Sequence, residues 1–134
     1  MPALFDFNTK LFSGRPPRPG AINENLGGDE LAAWLSERLR ARGLAASAPW
    51  AEDHGYDFDV SAGDQRYLVV CARDFDEESD NPGHHGVVVE KVRRFFDVIL
   101  RRGRLDADDR VVEAVSDILR DESGVHGLTR EFKR

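Results

Sequence analysis

Glu52, Asp53, His54, Tyr56, Asp57 and Asp59 crowd the densest polar and aromatic chemistry of this chain into one short stretch. Carboxylates beside an imidazole can hold a cation or pass protons near neutral pH. Asp57 and Asp59 stand two residues apart, so a strand would put both on one face. Glu52 to His54 would then sit in the loop that feeds that strand. Against this stands the plainer reading, in which acids keep an exposed sheet face soluble and the loop only turns. No ligand spacing here is diagnostic. The stretch therefore marks Glu52, Asp53, His54, Tyr56 and Asp57 as candidate binding residues, with no catalytic residue and no metal ligand assigned.

Other constellations carry less. Asp74, Asp76, Glu78 and Asp80 alternate like a calcium loop, but Ser79 stands where the sharp turn needs glycine and His85 where a bidentate glutamate belongs. A solvated acidic loop is the expectation for 74–80. His84 and His85 are adjacent, so on a strand they point apart and are poorly placed to share one ion. Cys71, the one cysteine, has no partner for an internal disulfide and lies in the apolar run Tyr67 to Ala72, as a buried reduced thiol would. None of the serines sits in a Gly-x-Ser-x-Gly elbow. Gly27-Gly28 lacks the Lys-Ser/Thr or third glycine of a phosphate loop. No cofactor is expected.

Charge narrows the partners. Net charge is −6, which repels nucleic acid and anionic lipid unless a basic patch is segregated. Lys91, Arg93, Arg94, Arg101, Arg102 and Arg104 form such a concentration, without interleaved aromatic platforms for bases. Residues 52–80 hold ten acids against Arg66 and Arg73. Complementary surfaces, within the fold or between copies, account for this segregation most simply. No window reaches the roughly 18 apolar residues of a membrane span, and the first residues do not suit a signal peptide. A cytoplasmic bacterial protein is the default expectation.

The elements that must position these groups follow from periodicity. Residues 3–12 alternate loosely, as a short strand or a surface arm, and the prolines between Arg15 and Gly20 extend the chain. Leu31, Trp34, Leu35 and Leu39 share one helical face between a cap at Asp29 and a stop at Gly43. Tyr56, Phe58 and Val60 alternate with acids, and after the Gly63-Asp64 turn a second, both-sides-apolar strand runs through Tyr67 to Cys71. Leu31, Leu35 and Leu39 are expected to pack on Phe58, Val60, Leu68 and Val70. Residues 86–91 read as a third strand running into a helix that ends near Gly103, although one helix from Val87 fits nearly as well. Asp106 is the expected cap of a further helix carrying Val111, Val112, Val115, Ile118 and Leu119. Gly124 would stop it, and Val125 to Phe132 would return as a last strand. The chain is thus predicted as one α+β domain over 1–134, with 1–26 an extended N-terminal arm. Its sheet is mainly antiparallel with helices packed on one face, in the order helix, three strands, helices, strand.

Three stretches carry a resemblance: Arg18 to Glu24, Gly28 to Leu35, and Pro49 to Phe58, which contains Glu52-Asp53, a spacer, Gly55 and Tyr56. On these the chain resembles a family of small, uncharacterised bacterial proteins, and the likeness implies a fold and an origin but no activity. The order of elements is also similar to that of restriction-endonuclease-like folds. Cys71 and Arg73, however, occupy the positions of that family's acid and lysine, which removes a magnesium ligand and a tunable amine. The leading expectation is a non-enzymatic protein that binds another protein, with a weak homodimer as one form of it. The alternative is a metal-dependent hydrolase or degenerate nuclease using Glu52, Asp53 and Asp57.

Overall fold

The computed structural model describes residues 2–12, 26–63, 65–74, 83–92 and 109–132. Strand β1 (Ala3–Thr9) and the short β2 (Leu26–Gly27) precede helix α1 (Asp29–Ala41). Then come β3 (Ala45–Ala46), β4 (Trp50–Glu52), β5 (Gly55–Ala62), β6 (Gln65–Asp74) and β7 (His84–Val92). Helix α2 (Arg110–Asp121) and strand β8 (Val125–Phe132) close the order. The strands form one sheet in the order β3-β5-β6-β7-β1-β8, with β4 also on β5 and β2 on β6. Every pairing among the described residues is antiparallel. The α+β class and the antiparallel sheet therefore stand.

The order does not. Residues 3–9 are not part of an arm: β1 lies between β7 and β8, with Phe5 and Phe7 inside the core. Of the two alternatives for 3–12, the strand holds; alternation showed which face of it is apolar, but not that it pairs with a strand on either side. The strand stops at Thr9, so Leu11, which shares that parity in sequence, is exposed while Phe12 is buried. Residues 87–91 resolve as strand within β7, whose Val87 and Val89 point into the core. The helix expected after Val92 and the acidic loop at 75–80 lie outside the described residues.

Gly43, at φ 86° just after the C-cap Arg42, is the stop expected for α1, but the other helix ends differ from their sequence signals. Gly28, not Asp29, caps α1, at φ 125°, and a Cβ there would stand 2.6 Å from the Cys71 carbonyl oxygen. Only glycine admits both that dihedral and that approach. Asp29 and Glu30 instead place negative charge in the first turn, where the helix dipole favours it. Asp109, not Asp106, caps α2 by accepting hydrogen bonds from the amides of Val111 and Val112. Its carboxylate also accepts from the Tyr67 hydroxyl at 2.9 Å and faces Lys91 Nζ at 3.6 Å. Lys91 thus belongs to an internal tie between sheet and helix. Gly124 is not the stop, because α2 already ends at the extended Glu122.

The two helices among the described residues lie on one face of the sheet. Leu31, Leu35 and Leu39 of α1 and Val111, Val112, Val115 and Leu119 of α2 are fully buried. They cover Phe58, Val60, Val69, Cys71, Val87 and Val89. Leu68 and Val70, expected beneath α1, point the other way. A strand apolar on both parities leaves its register undecided by pattern, and the pairing of Phe58 with Val69 decides it.

Candidate functional site

The candidate residues gather on the β4–β5 hairpin. Glu52 pairs with Gly55, leaving Asp53 and His54 as its two-residue turn. Gly55 has φ 141°, and a Cβ on it would meet the Cys71 carbonyl oxygen at 2.3 Å. This close approach clamps the hairpin end onto β6.

Each side chain then has a distinct place. Asp57 is buried at 3% exposure although it lies on the face away from the helices, which corrects the picture of an acid exposed on an outer face. Its two oxygens accept from His54 Nε2 at 2.8 and 3.1 Å. Burial pushes the Asp57 carboxyl above its ordinary pKa; the His54 hydrogen bond and charge oppose the shift, while Glu52 and Asp59 add to it. Glu52 accepts from the Trp50 indole at 2.9 Å. Asp53 is exposed at the turn, and Tyr56 points to the opposite side, packed against the core. Asp59 pairs with Arg66.

This arrangement is a histidine–carboxylate pair beside an exposed tryptophan. Such a pair can orient an imidazole as a base. Among the described residues, however, no three His, Cys, Asp or Glu side chains come together to hold a metal ion. The Ser47 hydroxyl accepts from the Asp59 amide at 2.9 Å, so its oxygen has a structural use. The nuclease-like set is also split by the register. Tyr56 pairs with Cys71 and Asp57 with Val70, so Asp57 lies on one face of the sheet while positions 71 and 73 lie on the other. Burial pushes the Cys71 thiol well above its ordinary pKa, which leaves no thiolate nucleophile.

A wider feature escaped the sequence. Direct partners across the sheet run Trp50, Asp57, Val70, Val88, Leu4 and Glu131 in one row on the face opposite the helices. Leu68 lies two residues from Val70 on the same face. Leu4, Leu68, Val70 and Val88 are half-buried and Trp50 is exposed. The alternation within each strand was legible, but the row depends on five registers and could not be read from any one of them.

His84 and His85 point apart, as expected of a strand. His84 faces Asp6 at 3.0 Å on the open face, and His85 is wholly buried on the covered one. The His85 ring stacks on Phe7 and meets Phe12 edge-on, with Nδ1 bonded to the Gly83 carbonyl at 2.7 Å. Its Nε2 has no hydrogen-bond partner among the described residues. The period-two placement of His85 with Val87 and Val89 is the signal that would have marked it as a core position.

Comparison with protein-family models, curated proteins and solved structures finds no match to this chain.

Proposed function

We propose that this protein works by binding another protein, through the open face of its sheet. The supporting observation is the row of Trp50, Val70, Val88 and Leu4 across that face. Apolar side chains aligned over several strands, with polar groups around them, are the usual make-up of a docking surface. Trp50 adds a large amphipathic anchor of the kind that dominates binding energy. The hydrolase alternative finds less support, because Asp57 is satisfied by His54 and separated from positions 71 and 73. Among the described residues no helix is long and apolar enough to cross a membrane.

The test is affinity capture from extracts of the source cell, with wild type and a Val88→Lys variant whose melting temperature is checked in parallel. A partner held by wild type and lost by the folded variant is the expected result. Identical captured sets overturn the reading. Calorimetry with magnesium, manganese, zinc and calcium addresses the alternative: binding tighter than millimolar that disappears in Asp57→Asn restores it.

A further inference from the structure

Resting on that reading, we infer that the open face takes a partner surface with an apolar centre and a rim of lysine and arginine. The charges around the apolar row are one-sided. Direct pairing and two-residue spacing place Asp6, Glu52, Asp57, Asp59, Glu90 and Glu131 on the same face as Val70 and Val88. Among the described residues, Arg66 is the lysine or arginine placed there, and it is bound to Asp59.

The acids are not equivalent. Asp57 and Asp6 are matched to His54 and His84, and Glu52 holds the Trp50 indole. Glu90 is exposed at the margin of the row, beside the half-buried Leu68 that it pairs with. A cationic rim would approach these carboxylates as the apolar centres close and water leaves, so the attraction strengthens where the local dielectric falls.

The same arithmetic decides against other occupants. A second copy laid face to face would bring like carboxylates together, and like-charge contact is costly at an interface. Nucleic acid would meet the same negative field, with no basic patch on this face among the described residues. A partner with lysine or arginine around leucine- or valine-like side chains meets both features at once. Its association should be fast at low salt and weaken as salt screens the rim.

Two synthetic amphipathic helical peptides test this, alike in a leucine face but flanked in one by lysine and in the other by glutamate. Each is titrated into the full chain while backbone amide shifts are followed by NMR. The lysine peptide should move amides of β1, β6 and β7 at least tenfold more tightly than the glutamate peptide. Raising salt from about 0.05 to about 0.5 M, which shortens the screening length several-fold, should weaken it several-fold. Glu90→Lys, an exposed change that leaves the core intact, should reduce the preference. Equal binding of both peptides overturns the charge assignment and leaves the docking face in place. Absence of shifts on these strands, or shifts on the helix side, overturns the docking face as well.

Discussion

The two faces of the sheet use similar residues to opposite ends. On the helix-covered face, Val69, Val87 and Val89 are wholly buried; on the open face, their neighbours Leu68, Val70 and Val88 are only partly so. The difference lies in what covers them, since both sets come from the same two strands. Histidines follow the same division. His85 sits among aromatic rings with Nε2 unmatched among the described residues, while His54, with 55% of its side chain exposed, binds a buried carboxylate. The covered face stores stability and the open face keeps surface available.

Truncation breaks this comparison most forcefully. Leu35→Ala should destabilise the protein by about 2–5 kcal/mol in urea unfolding, because a fully buried leucine leaves a cavity between α1 and the sheet. Val70→Ala should cost about 1 kcal/mol or less, from half-exposed methyl groups. Equal losses would mean that the open face is packed as tightly as the covered one.

A smaller effect is expected at the clamp between the faces. Gly55→Ala puts a methyl group against the Cys71 carbonyl at an unfavourable φ, a strain of about 1–3 kcal/mol. The same urea titration measures it. If the cost is instead negligible, the hairpin end is not held against β6, and the His54–Asp57 pair loses its support.

Acid should sharpen the contrast between the histidines. Burial lowers the His85 pKa, Arg73 and His84 lower it further, and the Gly83 and Phe12 carbonyls oppose them. The unfolded chain, with a histidine pKa of about 6.5, therefore binds more protons than the folded one, and stability falls as pH drops below that value. His85→Phe should flatten the dependence of the urea midpoint between about pH 7 and pH 5, a window around the unfolded pKa. Parallel curves for variant and wild type would remove His85 from the acid response.

The amphipathic helix over residues 29–41, the β5–β6 hairpin and the last strand were all legible, because each follows from a local period or a turn. The cap at Asp109 was missed in favour of Asp106, since two acids close together before an apolar run look alike until the first turn is placed. Among the candidate residues, the grouping of Glu52, His54 and Asp57 was visible in sequence. The burial of Asp57 was not, whereas the period of two already turned Tyr56 to the opposite side.

What the sequence determined by itself is the state of its strongly periodic segments, α1, β5, β6 and β8, and which side chains within each segment share a face; for 3–12 and 87–91 it left the choice open. Periods of two and 3.6 are properties of a single segment's backbone geometry. Tertiary structure alone decided that β1 enters the sheet beside β7 and that α1 covers Val69 rather than Val70. It also set Trp50, Val70, Val88 and Leu4 in line. These outcomes depend on pairing between segments far apart in the chain, where one step of register exchanges the buried face for the open one.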